Sequence, residues 1–326
     1  MGIAEQKHSP DSDQHPHRHP HPQMDGQAET VVPPQAGEKG QSRPGAVPDV
    51  LRLYDGRIIP LPAVMGVLNV TPDSFSDGGR YVDPDRAAAH ALEMAAAGAT
   101  IIDIGAESTR PSGAREVSAE VELGRLLPVL QRLSGRLETP LSIDTRKPEV
   151  ARVLLDRGAA IINDVSALSD PAMAALAAER GCNVVLMHMK GGPEDHIQFA
   201  SYRNVVEEVL MFLAERAATA LQAGINHARI ILDPGLGFAK TASHNLAILA
   251  HLERFCRLGY PVLIGASRKN FIRSISGNSD GDILFGTNAV NAVAVAAGAA
   301  IIRVHDPGPA AATARMAAAI AAARRT

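Results

Sequence analysis

Residues 141–164 read LSIDTRKPEVARVLLDRGAAIIND. The first four, 141–144, are a short β-type run that ends on Asp144. Residues 147–157 are a helical stretch, and Gly158 follows it as a left-handed helix stop requires. Residues 160–163 are a second β-type run that leads into Asn163-Asp164. Both runs are continuously apolar up to their ends rather than alternating, the pattern of parallel strands covered by helices. The stretch is therefore one strand–helix–strand unit whose strands each deliver polar side chains at their C-terminal ends.

The same alternation extends in both directions. Strand candidates fall at 63–69, 100–104, 141–144, 160–163, 183–188, 229–233, 261–265 and 300–305. Helical candidates fall at 84–97, 118–134, 147–157, 171–180, 203–223, 243–257, 286–298 and 308–324. Asp83-Pro84 and Asp170-Pro171 each place a capping acid before a proline at the first helical position. Gly98, Gly181, Gly224 and Gly259 close helices as Gly158 does. Eight such units are the count of an α/β TIM (β/α)8 barrel. An open doubly wound sheet fits less well, because no Gly-x-Gly-x-x-Gly follows the first strand. Ahead of the barrel, Leu51, Leu53, Ile58 and Ile59 flank Asp55-Gly56 and predict a short hairpin.

Residues 1–48 are rich in His, Pro, Gln and Gly, and cannot bury enough apolar surface to offset the entropy of ordering them. They are expected to be a disordered, solvated tail, including the alternating His15, His17, His19 and His21. The expected division is a tail over 1–48 and a barrel over 49–326.

Composition removes several functional classes. Lys and Arg number 32 against 35 Asp and Glu, a net charge of −3, so no basic excess favours nucleic acid. Aromatics are 3% and Trp is absent, which argues against base-stacking or carbohydrate platforms. The most apolar stretch, 289–302, contains Asn291 and Gly298 and is too short for a membrane span. The two cysteines, Cys182 and Cys256, form no disulfide framework and no metal spacing, and read as packing residues in a reduced, cytoplasmic setting. No basic region followed by an apolar core marks a secretory leader.

The chemistry lies at the strand ends, which a barrel gathers at one mouth. In chain order those ends carry Asn69, Asp103, Asp144, Asn163-Asp164, His188, Asp233, Ser267-Arg268-Lys269, and Arg303 with His305. Acids and amides come from strands one to four and six, cations from strands seven and eight, joined by Arg110 after strand two. Buried carboxylates need donors, and a ligand rich in ring N–H and amino groups supplies them. The cationic side suits phosphate or pyrophosphate. The Asn/Asp-rich segment 69–77 offers oxygen ligands for a Mg²⁺ bridging phosphates. Segments 71–83, 105–117 and 266–285 are long and glycine-bearing, and are candidate lids.

Two long motifs, MGVLNVTPDSFSDGG at 65–79 and DIGAESTRP at 103–111, resemble the signature of the dihydropteroate synthase family. The shorter SIDT at 142–145, INDV at 162–165, DPGLGF at 233–238, SRK at 267–269 and RVHD at 303–306 follow in that family's order, so the resemblance covers 50–326. It implies a pterin-binding barrel in folate synthesis, often a homodimer. The reaction it implies joins 6-hydroxymethyl-7,8-dihydropterin diphosphate and p-aminobenzoate into 7,8-dihydropteroate and pyrophosphate, with Mg²⁺ required. By position, Asp103, Asp144, Asn163, Asp233 and Lys269 resemble the pterin contacts. Thr109, Arg110, Arg303 and His305 resemble the pyrophosphate contacts; Phe75, Pro111, Phe238 and Ser267 resemble the p-aminobenzoate wall; Asn69 and Asp77 resemble the metal side. The expected chemistry is an SN1-like displacement with no protein nucleophile. Ala106 and Pro111-Ser112-Gly113 depart from the family pattern, Gly and Pro-Gly respectively, and bear on p-aminobenzoate and sulfonamide binding.

Two other readings share the pterin carboxylates: a pterin-dependent methyltransferase and a non-catalytic pterin-binding homologue. The first would not be expected to carry the loop motifs at 71–77 and 108–111, and the second would not require the pyrophosphate group. His188, for its strand-end position, is a further site candidate.

Overall fold

The computed structural model describes residues 48–71, 83–107, 117–192 and 195–324. The expected tail, apart from residue 48, lies outside them, as do Phe75, Asp77, Thr109, Arg110 and Pro111.

The hairpin forms as expected: β1 (Val50–Arg52) pairs antiparallel with β2 (Ile58–Pro60). Eight parallel strands follow: β3 (Ala63–Asn69), β4 (Ile101–Gly105), β5 (Leu141–Asp144), β6 (Ile161–Asp164), β7 (Asn183–Met187), β8 (Ile230–Asp233), β9 (Leu263–Ile264) and β10 (Ile301–Val304). They lie side by side in the order β8, β7, β6, β5, β4, β3, β10, β9. A single parallel pair, Leu232 with Val262, joins the two outer members into a ring.

The helices are α1 (Pro84–Ala96), α2 (Ala119–Leu133), α3 (Pro148–Leu155), α4 (Pro171–Arg180), α5 (Val205–Gln222), α6 (Ala242–Ala250), α7 (Leu252–Cys256), α8 (Asn270–Ser276), α9 (Asp280–Ala296) and α10 (Pro307–Ala323). The capping acids act as read: Asp83 accepts from the Asp85 and Arg86 amides, and Asp170 from that of Ala172. None of the helices among the described residues is long and apolar enough to cross a membrane.

Two expectations need correction. The stretch 243–257 is not one helix, because the chain breaks at His251 (φ −116°) and restarts as α7. The segment 266–285 is not an open lid: it carries α8 and the first turn of α9. Ser279 accepts from the Asp282 amide while Asp282 accepts from that of Ser279, a reciprocal cap that starts α9 at Asp280, six residues before the expected 286.

The core has two layers that follow from strand periodicity. Outward residues such as Ile102, Ile104, Ile143, Ile162 and Leu232 pack under the helices. Inward residues Met65, Ile101, Ile161, Val185, Ile231, Leu263 and Ile301 fill the barrel floor, where Leu51, Leu53 and Ile59 of the hairpin segment join them. Successive side chains on a strand alternate faces, so the residue two places further points inward again, one layer higher. From Ile101 that residue is Asp103, from Ile161 Asn163, from Ile231 Asp233, and from Ile301 Arg303. The apolar floor thus positions the polar layer above it.

Candidate active site

Asp103 is fully buried. Its Oδ2 accepts from Asn163 Nδ2 at 3.0 Å and from Arg303 Nε at 2.7 Å, while its buried Oδ1 has no donor among the described residues. Arg303 donates a second bond to Asp144 Oδ2 at 2.7 Å. Burial works against the Arg303 charge, but Asp103 and Asp144 overcome it and hold the guanidinium above its ordinary range. Burial also pushes Asp144 well above the usual carboxylate range; Arg303 opposes that shift and Asp103 adds to it.

Across the cleft, Asp233 Oδ1 accepts from the Gly235 amide at 2.7 Å. Burial pushes its carboxyl up to about 6, against the pull of that amide and of Arg303, Lys240 and Lys269. Burial brings Lys269 down to about 8, with Arg303 adding to the effect. Asn163, Asp233, Lys269 and Arg303 line one cleft, with Val165, Met187 and Phe238 among its apolar walls. Its polar lining offers acceptors on Asp233 and Asn163 and cations on Lys269 and Arg303, a layout suited to a planar, N–H-rich ligand with an anionic arm.

Of the remaining expected residues that the structure describes, Phe238 lines this cleft, Ser267 and His305 stand just beyond β9 and β10, and Asn69 ends β3. The ammonium of Lys269 lies 3.9 Å from the Phe238 ring centroid, a cation–π contact. Ser267 Oγ meets His305 Nδ1 at 3.0 Å and accepts from the His305 amide at 3.2 Å. Burial, reinforced by Arg303 and Arg268, holds the His305 imidazole neutral, down to about 3. Asn69 ends β3, paired in register with Gly105. Arg303, assigned by resemblance to pyrophosphate, is engaged with two carboxylates here, so the cation of the eighth barrel strand reaches across to the acids of the second and third.

His188 is buried with its ring edge-on to Phe212 at 4.8 Å, and its Nδ1 meets Lys240 Nζ at 2.9 Å. It is not among the residues lining the cleft. Lys240 itself escaped the sequence reading. It lies two residues beyond the DPGLGF motif, and a lone lysine there gives no periodic signal. Also unanticipated is an ion cluster just beyond the C-terminal end of β5: Lys147 Nζ lies 2.5 Å from Glu107 and 3.1 Å from the fully buried Glu122. Ala106 is fully buried in the layer between sheet and helices, so its methyl group packs there instead of entering the cleft.

Residues 65–305 match the family described as pterin binding enzyme. The dihydropteroate synthase of Escherichia coli (strain K12) is 48% identical over 245 residues, 75% of this chain and 86% of that protein. The chain belongs to the dihydropteroate synthase family of pterin-binding enzymes. Among solved members, the Xanthomonas albilineans dihydropteroate synthase with 4-aminobenzoic acid is 44% identical, with a TM-score of 0.77 over 85% of this chain and 99% of that one. The same synthase in complex with 7,8-dihydropteroate is 42% identical, with a TM-score of 0.74 over 82% and 98%. The match of 65–305 to the family begins inside β3 and ends one residue beyond β10, so it spans the whole ring of strands.

Proposed function

We propose that this chain is a dihydropteroate synthase, condensing 6-hydroxymethyl-7,8-dihydropterin diphosphate with p-aminobenzoate and releasing pyrophosphate. The observation that carries this reading is the polar layer of one cleft: Asp103, Asn163 and Asp233 beside Lys269 and Arg303. The relatives' titles point the same way, since solved members hold 4-aminobenzoic acid and 7,8-dihydropteroate.

The pterin edge presents neighbouring N–H groups to the Asp233 carboxylate, and Asn163 both donates and accepts. The unpaired Asp103 Oδ1 takes a further N–H. Departure of pyrophosphate is the demanding step. The electron-rich dihydropterin stabilises a cation on its exocyclic methylene, so the C–O bond breaks ahead of arylamine attack. Arg303 and neutral His305, as a donor from Nε2, meet the growing negative charge. The amine nitrogen then forms the C–N bond and loses its proton. Phe238 and the Lys269 stem form the wall along which the arylamine enters.

At the end of β3, Asn69 would offer a hard oxygen to Mg²⁺, an ion that needs only one or two protein oxygens where substrate phosphates complete the site. Among the described residues no three His, Cys, Asp or Glu side chains gather for a metal, and Asp77 lies outside them. When bound, Mg²⁺ would neutralise charge on the leaving pyrophosphate. A homodimer suits the packed pair α9 and α10, which leaves Phe285 74% and Met316 65% exposed together with Val293 and Ile320. Light scattering on Met316→Lys/Ile320→Lys should give a monomer if that face is the interface.

The deciding experiment is pyrophosphate release with the dihydropterin diphosphate and Mg²⁺, with and without p-aminobenzoate. Arylamine-dependent release, with dihydropteroate formed alongside, is the expected result. No release would move the weight to a methyltransferase or a binding homologue.

A further inference from the structure

We propose that Lys240 is a positioning residue for the arylamine end of the cleft: its ammonium holds the loop 234–239 so that Phe238 faces Lys269 and Asp233 stays poised as an acceptor. This inference rests on the synthase reading.

Lys240 is 8% exposed and forms no ion pair with a carboxylate among the described residues. Its Nζ lies 2.9 Å from the Gly235 carbonyl, 3.0 Å from that of Phe238 and 2.9 Å from His188 Nδ1, with the His188 carbonyl at 3.4 Å. Three short acceptors match the three N–H groups of an ammonium. A neutral amine would turn a lone pair toward one of them. Nδ1 of His188, facing a cation, is an acceptor, which puts the imidazole proton on Nε2. Burial and then Lys240 keep that ring neutral, down to about 3.

The loop needs such a fastening. Gly235, Gly237 and Ala239 all have positive φ, at 68°, 79° and 49°, and Ala239 carries a Cβ in that sparsely populated region. A Cβ at Gly235 would lie 2.0 Å from the His188 carbonyl oxygen, so the loop runs directly against the end of β7. Asn245 accepts from the Gly237 amide at 2.8 Å, and His196 Nδ1 from that of Ala239 at 2.9 Å. Lys240 ties both the first glycine and Phe238 itself. The His196 ring also stands 5.4 Å from that of Phe238.

The fastening is electrically linked to the pterin end. Lys240, Arg303 and Lys269 are the cations that oppose burial at Asp233. At Lys240, burial lowers the pKa to about 7, Asp233 pulls it back, and Lys269 and Lys190 push it further down. Removing the Lys240 charge therefore raises the pH at which Asp233 becomes a carboxylate.

The test uses the full chain and three variants, with steady-state kinetics, calorimetry of pterin binding from pH 5 to 8.5, and a thermal melt as folding control. In Lys240→Met, assayed at about pH 6 where the wild-type lysine is charged, KM for p-aminobenzoate rises about tenfold or more, as a mispositioned wall predicts. Pterin affinity at pH 8.5 is nearly unchanged, and the acid midpoint of pterin binding moves up by roughly half a pH unit. Lys240→Arg keeps the charge but cannot aim three donors at those acceptors. It retains the wild-type midpoint without restoring KM. His188→Phe keeps the ring packing and removes one acceptor; its KM for p-aminobenzoate also rises, which serves if the Lys240 variants do not fold. Unchanged KM and midpoint in Lys240→Met, or an equal loss of pterin affinity at pH 8.5, overturns the proposal. So does an unchanged KM in His188→Phe. If the wild-type chain neither binds pterin nor releases pyrophosphate, the synthase reading fails instead.

Discussion

The most exposed consequence of the site's electrostatics is that Asp233→Asn should strengthen the empty protein while disabling it. Asp233 is 6% exposed, and burial raises its carboxyl from 3.8 to about 6. A carboxyl whose folded pKa is raised penalises the fold once the unfolded chain has ionised. Below pH 3.8 both states are protonated and there is no penalty; between 3.8 and 6 only the unfolded state ionises, and stability falls; above 6 the penalty is constant. A shift of just over two pH units at 1.36 kcal/mol each gives about 3 kcal/mol at pH 8 and roughly 0.6 kcal/mol at pH 4. The attraction of Arg303, Lys240 and Lys269 is already inside that balance. Asparagine keeps an oxygen for the Gly235 amide and never ionises. For a chain of this size 1 kcal/mol moves Tm by roughly 2 °C, so the variant should melt about 6 °C higher at pH 8, with the gap nearly closed at pH 4. Pterin affinity should fall about a hundredfold or more, because the amide turns an N–H toward ligand N–H groups. Ligand-free thermal unfolding of both proteins at pH 8, 5 and 4 reads the effect. A less stable variant at pH 8, or a gain independent of pH, would refute the reasoning.

Other substitutions probe neighbouring parts of the site. Arg303→Met strands Asp103 and Asp144 without their shared cation and should cost about 3–5 kcal/mol of stability together with pterin binding, as read by urea denaturation and calorimetry. Gly235→Ala forces a Cβ into the His188 carbonyl at positive φ; calorimetry should show pterin binding lost, and retained affinity would mean the loop can move aside. Cys182 and Cys256, both buried and pushed up to about 12 and about 11 by burial, should not react with Ellman's reagent until the protein is unfolded.

Much of this architecture was legible because two periodicities agree. The seven-residue β3 and the run from Leu141 to Asp144 match their expected limits, since each ends where an apolar run meets a polar side chain. The members of the polar layer were legible for the same reason: each stands two residues beyond a floor residue on its strand. What escaped is what depends on partners from elsewhere in the chain. Arg303 reads as a lone strand-end cation, and only the closed ring brings it to Asp103 and Asp144, 200 and 159 residues away. Lys240 gives no signal in the sequence; its partners are backbone carbonyls and the ring nitrogen of His188, an arrangement with no sequence signature. The start of α9 was hidden because Asp280-Gly281-Asp282 looks like a turn, and the reciprocal cap from Ser279 outweighs that preference.

The ring is fastened unevenly. β7 and β8 share four paired positions, whereas β8 meets the β9 segment through Leu232 and Val262 alone, with the Leu232 amide donating to the Pro261 carbonyl at 2.9 Å. Thermal breathing should part the staves at that thin weld first. Asp233 stands on one lip of the weld and Lys269 follows the other, so a molecule gripping both acts as a rivet. Substrate would then tighten the hoop as it binds, and the Leu232 amide would be the proton whose exchange with solvent slows.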